Sequence, residues 1–333
     1  MGTGAFDLSS LRDTMFGLVL RRLGSAIPLV LVVIAVTFAL TRLAPGDPAM
    51  LLAGDAPSPE FLEKVRAEHG LDQPLPEQLR RYMVGALTLD LGTSIHYQRP
   101  VTEVIVERIP ATLLLTGAAM LLASVVGIAC GVWAARHKGN EVDLLVGAGS
   151  MLGYSIPSFW LGQLLILLFA VTLSWLPSGG MVSTREQYQG LDYALDVARH
   201  LVLPTLTLMT FELALISRFT RTAMIEALSK EYVLVAKAKG ARMDRVVWSH
   251  AFPNAVVTTL TIIGLEFGVL LAGAVVTETV FAWPGLGRLF FEAITRRDFP
   301  LLNGCFIFAS VAVVIVNLLT DIAVGLLDPR TRR

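Results

Sequence analysis

Long apolar runs separated by shorter polar segments dominate the pattern of this chain. Because about 20 consecutive apolar residues cross a bilayer as a helix, the pattern predicts an all-α, polytopic membrane protein with six transmembrane helices. The predicted spans are Leu23–Leu40, Ala111–Ala135, Leu144–Trp175, Leu201–Phe219, Ala255–Phe281 and Leu301–Leu327.

The third run is too long for one straight crossing, and Pro157 divides it. The part before Ser155 is too short to cross alone. A kinked helix with a lead-in turn at the membrane surface is therefore the preferred interpretation. Five or seven spans stay open as alternatives, and seven would place the C-terminus on the opposite side.

The longest polar stretch follows the first span, and we divide the chain around it into 1–43, 44–110 and 111–333. The stretch opens with the turn-rich run Ala-Pro-Gly-Asp-Pro at 44–48. A helix is predicted from Ser58 to Gly70, with Ser58 as N-cap and Pro59 in the first turn. A second helix is predicted over Gln78–Leu89. A loop this long is usually functional or disordered, and its helical pattern argues against disorder.

Composition supports the membrane assignment. The 333 residues are 54% apolar and only 16% charged, against about 25% charged in soluble domains, and the mean hydropathy is +0.64. The net charge of zero gives no signal for nucleic acid. Cys130 and Cys305 lie in apolar runs, so packing is expected of them rather than a disulfide or zinc site. The first apolar run exceeds a signal-peptide core of about 7–15 residues and is interpreted as a retained span.

Lys and Arg are denser in 1–22, 136–143, 220–253 and 328–333 than in the other flanks. The positive-inside rule then predicts that both termini and the 220–253 segment are cytoplasmic. The 44–110 loop is predicted to lie outside.

The polar stretch Glu231–Asn254 has the helix-forming pattern and helix-stop residues of a folded element. Ile225, Leu228, Tyr232, Val235 and Ala236 are predicted to form one helical face, with Glu226, Lys230 and Lys237 on the other. Glu226 and Lys230 form an i,i+4 pair. Gly240 suits a helix stop in the left-handed conformation, and Met243–Phe252 predicts a second short helix ended by Pro253. The alternative is a solvated basic loop that only satisfies the positive-inside rule.

This stretch resembles the EAA loop of importer-type ABC transporter permeases. Ala236, Gly240 and Phe252-Pro253 occupy the spacing of its alanine, glycine and Leu-Pro positions. Leu234 and Val235 stand where that motif has an acidic residue and its first alanine, so the match is partial there.

Further blocks, in the same order along the chain, resemble the dipeptide/oligopeptide permease B subfamily. They are Leu-Ala-Pro-Gly-Asp-Pro at 43–48, Gly-Leu-Asp-Gln-Pro-Leu at 70–75, Asp-Leu-Gly at 90–92, Arg-Ile-Pro-Ala-Thr at 108–112, Ser-Ile-Pro-Ser-Phe-Trp-Leu-Gly at 155–162 and Glu-Thr-Val-Phe-Ala-Trp-Pro-Gly-Leu-Gly at 278–287.

The resemblance implies a permease subunit of a bacterial inner-membrane importer for peptides or related small solutes. It implies a permease fold with a cytoplasmic coupling element, residues 225–253, and a long extracytoplasmic loop. It also implies four kinds of partner: membrane lipid, a paralogous second permease, two ABC ATPase subunits and an extracytoplasmic substrate-binding protein. The expected ATPase-coupling residues are Ala236, Lys237, Lys239, Gly240, Arg242, Phe252 and Pro253.

The chain has no sequence signature of an enzyme. It contains no Gly-x4-Gly-Lys-Ser/Thr, no His-Glu-x-x-His and no Gly-x-Ser-x-Gly. We therefore expect no bound cofactor or metal, with ATP and Mg²⁺ held by the partner subunits.

Carboxylates within apolar runs are candidates for function. Glu212, Glu266 and Glu278 are candidates for lining the pathway or forming a gate. Each could instead be a paired structural carboxylate, or, for Glu278, a helix-end contact. Gly264 and Gly268 form a Gly-x-x-x-Gly pair that favours close helix packing.

The outer loop is a candidate contact for the binding protein, through Asp47, Asp72, Gln73 and Asp90. The alternative is a lid over the outer vestibule. The rival function is a stand-alone secondary transporter or channel that uses Glu212, Glu266 and Glu278 as a proton or cation relay, although the chain shows no inverted repeat. The sequence leaves the substrate open among dipeptides, oligopeptides, glutathione, nickel chelates and similar solutes.

Overall fold

The computed structural model describes residues 8–43, 50, 58–68, 71–184 and 188–327, and most of these residues are helical. The helices are α1 (Leu8–Leu43), α2 (Pro59–Glu68), α3 (Leu75–Leu87), α4 (Val101–Arg136), α5 (Glu141–Ser155), α6 (Ser158–Leu165), α7 (Gly190–Leu228), α8 (Glu231–Ala238), α9 (Met243–Arg245), α10 (Phe252–Gly273), α11 (Val275–Val280), α12 (Leu286–Thr295) and α13 (Phe299–Leu327). Two π-helical segments, Ile166–Thr172 and Val246–Ala251, continue α6 and α9.

The all-α prediction is confirmed, and the described spans agree with most of the predicted ones. Among the described residues, four helices are long and apolar enough to cross a membrane: Val101–Arg136, Gly190–Leu228, Met243–Gly273 and Phe299–Leu327. The pair Glu141–Ser155 and Ser158–Thr172 gives a fifth if it counts as one span, and Gly24–Ala39 is a shorter apolar helix. The count of six stays a prediction.

The third predicted span is a sharply broken helix. Its two arms meet at 96°, so the break is far stronger than a kink with a lead-in turn. Pro157 has no N–H for the carbonyl of Gly153, and the residue before a proline is pushed out of the helical region. Ile156 accordingly has ψ 122°.

The fifth span is shorter than the predicted Ala255–Phe281. Its helix ends at Gly273, whose φ of +147° is closed to most other residues. Residues 275–280 form the separate helix α11. Glu278 therefore lies in α11, after the end of the long helix, and the predicted end of the fifth span at Phe281 is wrong for that helix.

Glycines set the closest helix contacts in the bundle. A Cβ on Gly131 would lie 2.6 Å from both the carbonyl oxygen of Ser217 and the Cβ of Thr220. This contact brings α4 against α7. A Cβ on Gly264 would collide with the Thr320 side chain, which brings α10 against α13. Of the glycine pair predicted to favour helix packing, Gly264 therefore permits a close contact between two helices of this chain. A Cβ on Gly268 would make only ordinary contacts at 3.8 Å.

The polar loop after the first span contains both predicted helices. The N–H of Phe61 donates to Ser58 Oγ at 3.2 Å, which confirms Ser58 as the N-cap. The second helix begins earlier than predicted, at Leu75, because Pro74 and Pro76 suit a helix start. It ends at Leu87, so Leu89, with φ +62°, is outside it. The 44–48 run and Gly70 lie outside the described residues.

Both cysteines are free: Cys305 is buried in an apolar cluster with Val101 and Leu301, and Cys130 is partly buried. The expected packing role is confirmed for Cys305.

Candidate functional site

The coupling element begins with a capped short helix. Helix α8 ends at Ala238, and Gly240 adopts φ +81°. The N–H of Gly240 donates to the carbonyl of Lys237 at 2.9 Å, and the N–H of Ala241 donates to that of Ala236 at 3.1 Å. These two bonds are the Schellman arrangement. The predicted left-handed stop at Gly240 is confirmed.

The predicted apolar face is partly wrong because the helix is not continuous. Helix α7 ends at Leu228 and α8 starts at Glu231, which resets the helical phase. Val233 and Ala236 are buried against Val246, whereas Val235 is 53% exposed. The charged pair survives the break: Lys230 Nζ lies 2.9 Å from Glu226 Oε1.

The second half of the element runs directly into the membrane. Helix α9, the π-helical segment and α10 are continuous from Met243 to Gly273, so the prediction that Pro253 ends a short helix is wrong. Pro253 lies in the first turn of α10. The π-helical turns of Val246–Ala251 directly precede this proline. Prolines and π-bulges are both common sites of irregular helix geometry.

The element is held rigidly against the end of the bundle. Arg136, at the end of α4, forms an ion pair with Asp244 at 2.7 Å. Val247 and Ala251 are buried in a cluster with Met224 and Val132. A movement of the element therefore has to move the ends of α4, α7 and α10.

The predicted coupling residues occupy two environments. Lys237, Lys239, Gly240, Arg242 and Pro253 are exposed, whereas Ala236 is buried and Phe252 is partly buried, 5.2 Å from the Trp248 ring. Exposed apolar side chains accompany the basic ones. Tyr232 and Val235 belong to the predicted apolar face, whereas Leu234, Met243 and Trp248 were not predicted. Such a surface, apolar with a basic rim, is suited to a protein partner.

Glu278 is the centre of a buried hydrogen-bond network, which we call the Glu278 knot. Its side chain is fully buried. One carboxylate oxygen accepts from Thr112 Oγ1 at 3.0 Å, and the other accepts from the N–H of Arg288 at 2.9 Å. Thr112 Oγ1 in turn accepts from the N–H of Leu286 at 2.7 Å. This carboxylate links α4, α11 and α12 by accepting hydrogen bonds from protein donors on both oxygens. Its role as a gate or as a helix-end contact stays a prediction.

Glu212 and Glu266 line one groove in the membrane part of the bundle. The groove, of about 410 Å³, lies between the broken helix at 153–158, α7 and α10. The Glu212 residue is only 4% exposed, and its Oε2 has no hydrogen-bond partner within the described residues. Glu266 also lines a wider space of about 1630 Å³ that reaches Gly139 and Arg221, near the coupling element.

A polar clasp closes the opposite end of the bundle. Buried Asp298, just before α13, accepts from Ser94 Oγ at 2.5 Å, from the N–H of His96 at 3.0 Å and from the N–H of Leu301 at 3.2 Å. We call Ser94, His96, Tyr97, Glu292 and Asp298 the outer clasp. It ties the long polar loop to the last two helices.

Glu292 provides the second link of the outer clasp. Its Oε2 accepts from the Tyr97 hydroxyl at 2.6 Å, and its Oε1 accepts from Arg288 Nε at 2.9 Å. Burial raises the pKa of Glu292, but the Tyr97 hydroxyl and the Arg288 guanidinium outweigh burial, so this pKa lies below its usual value. Sequence reasoning missed the clasp because its members lie about 200 positions apart and belong to no local pattern.

The predicted binding-protein contacts lie on the same loop. Asp72 and Asp90 are exposed, and Gln73 is half-buried. The carboxylate of Asp90 accepts from the N–H of Gly92 at 3.3 Å, and the carbonyl of Gln73 accepts from Gln78 Nε2 at 2.7 Å. Asp47 lies outside the described residues.

Comparison with known proteins identifies the kind of protein to which this arrangement belongs. Residues 127–333 match the family described as binding-protein-dependent transport system inner membrane component, and residues 15–116 match its N-terminal companion. The chain belongs to this family. It is thus a multi-pass membrane component of a transport system.

Full-length relatives carry matching names. The chain is 40% identical over 336 residues to the dipeptide transport system permease protein DppB of Escherichia coli strain K12, covering 96% of this chain and 99% of that protein. It is 40% identical over 333 residues to the di/tripeptide transport system permease protein DppB of Pseudomonas aeruginosa, with the same coverage.

A solved structure titled as an amino acid ABC transporter with histidines aligns with a TM-score of 0.46 and 16% identity, covering 69% of this chain and 94% of that chain.

Proposed function

We propose that this permease forms half of the translocation pathway of an ABC importer for peptides. The family membership favours an importer subunit over a stand-alone transporter or channel, and the relatives named for dipeptides and di/tripeptides suggest the substrate class. A paralogous permease would complete the pathway, two ATPases would drive it, and an extracytoplasmic binding protein would deliver the peptide.

The observation that carries the proposal is the rigid coupling element. Its two arms present exposed apolar and basic side chains to the cytoplasm while ion pairing and burial fix them to α4, α7 and α10. An ATPase that grips this surface can move three membrane helices together. ATP-driven closure would thereby rock the two permeases between outward- and inward-facing states. Both termini are cytoplasmic in this proposal.

Co-purification from native membranes tests this proposal. Tagged wild-type chain, extracted in mild detergent, should bring down a second permease and ATPase subunits with measurable ATP hydrolysis. The variant Gly240→Asp should lose the ATPases, because it places a charged side chain at an exposed left-handed turn in the coupling surface. Recovery of the wild-type chain alone and inactive would refute the importer assignment.

Delivery by a binding protein has its own test. We propose that Asp47, Asp72, Gln73 and Asp90 face the loaded binding protein. The double variant Asp72→Asn, Asp90→Asn should lower uptake by cells while co-purification with the ATPases stays unchanged. The matched control is Glu103→Gln, an exposed carboxylate at the start of α4. Unchanged uptake in the double variant would refute this contact.

A further inference from the structure

The groove that contains Glu212 has two carboxyl groups and no basic neighbour. Glu212 and Glu266 both line it, and none of the described residues around it is Lys, Arg or His. Glu212 is 96% buried, with 4% exposure, and its Oε2 has no partner. A buried carboxylate oxygen without a partner costs free energy unless a ligand or proton satisfies it.

The broken helix adds further acceptors to the same groove. Helix α5 ends at Ser155, and residues 153–156 form one wall. The last carbonyls of a helix have no intrahelical partner and carry the negative end of its dipole. Pro157 has no N–H to give to the carbonyl of Gly153. Ends of interrupted membrane helices bind cations in this way in other transporters.

Its size and apolar wall fit an organic cation better than a bare metal ion. The groove of about 410 Å³ lies within the range of small-molecule sites, about 300–1,000 Å³. Tyr154 and Phe211 stack along it with ring centroids 4.7 Å apart, and aromatic faces attract ammonium groups. Leu208, Val269 and Leu270 supply an apolar surface.

We propose that Glu212 and Glu266 form a subsite for a primary ammonium group of the transported solute, and that this is the terminal ammonium of a peptide. This inference rests on the proposed peptide importer. Glu212 holds the ammonium in the groove. Glu266 lines both the groove and the wider space toward the coupling element, so it offers the next carboxylate along the route inward.

The test uses the complete transporter in sealed membrane vesicles. The binding protein is supplied outside the vesicles and ATP inside. The probe is radiolabelled dialanine. Glu212→Gln and Glu266→Gln should each lower uptake by roughly tenfold or more, as expected for losing a charged hydrogen bond. Thr205→Val is the matched control, because Thr205 is buried on the same helix without an Oγ1 partner and does not line the groove. It should transport normally.

Direct binding to the purified complex without binding protein separates the possible occupants. Wild type should bind dialanine roughly tenfold more tightly than N-acetyl-dialanine, and Glu212→Gln should bind the two equally. If wild type does not distinguish the two peptides, and replacing Na⁺ by choline changes the binding of both, the groove holds an inorganic cation and the inference is overturned.

Assembly and uptake distinguish the remaining failures. Normal uptake by both glutamate variants overturns the subsite while leaving the importer proposal intact. Absence of dialanine uptake by wild type overturns the peptide proposal itself, and the subsite with it. Co-purification of each variant with its partners shows that loss of uptake is not loss of folding, and Glu266→Gln, at the less buried carboxylate, provides the second variant.

Discussion

Gly240 allows the coupling surface to be tested apart from the stability of the chain. Its φ is +81°, and a Cβ built on it meets no atom of this chain within 4 Å. Gly240→Ala therefore has only a conformational cost, about 1–2 kcal/mol for a left-handed alanine. Gly139 has φ +84° and equally open space, in the turn between α4 and α5. Gly139→Ala has the same cost and is the matched control.

The two variants should separate in a coupling assay. We expect both to assemble, and we expect only Gly240→Ala to lower the number of peptides imported per ATP hydrolysed, because the added methyl group enters the ATPase interface. Gly240→Asn addresses backbone strain, since asparagine tolerates the left-handed region. If strain alone matters, Asn restores coupling. An equal effect of Gly139→Ala, or an unchanged ratio in Gly240→Ala, would refute the docking role of this turn.

Three further predictions concern the outer clasp, the Glu278 knot and the broken helix. Asp298→Ala leaves three donors without their acceptor, each costing about 1–3 kcal/mol if it stays buried, so limited proteolysis within 93–100 should accelerate; an unchanged rate would contradict the clasp. Gly285→Ala places a methyl group against the Glu278 carboxylate and should lower the apparent Tm of the purified protein, at about 1–3 kcal/mol of overpacking, whereas Gly117→Ala, in open space, should not. Pro157→Ala restores an N–H and should open the 96° bend, seen as a longer distance between spin labels at 145 and 164; an unchanged distance would show that packing, not proline, sets the bend.

Local sequence patterns located most of the helices and two of their caps. Ser58 and Gly240 were predicted correctly because capping depends on the chemistry of neighbouring residues and on backbone conformation. The apolar face of the coupling element was predicted with the wrong phase, since a break of two residues between Leu228 and Glu231 shifts the helical period. Pattern reasoning assumed one continuous helix there.

The roles of the three membrane carboxylates could not be separated from the sequence. All three stand in apolar surroundings in the sequence, yet Glu278 is satisfied by Thr112 and by the backbone of Arg288, whereas Glu212 keeps an oxygen without a partner. The difference depends on which donors the fold brings within 3 Å. Those donors come from positions 10 and 166 residues away in the chain, and no local spacing encodes them.

The outer clasp imposes a waiting time on biosynthesis. Ser94 and Asp298 are separated by 204 positions, and ribosomes add about 5–20 residues per second. Roughly 10–40 s therefore pass between the emergence of Ser94 and that of its acceptor. During this interval the nascent loop has neither its carboxylate nor the last two helices against which to pack. A quality-control protease that samples the loop in this interval would recognise unfinished chains, and synthesis of the final helix would end that susceptibility.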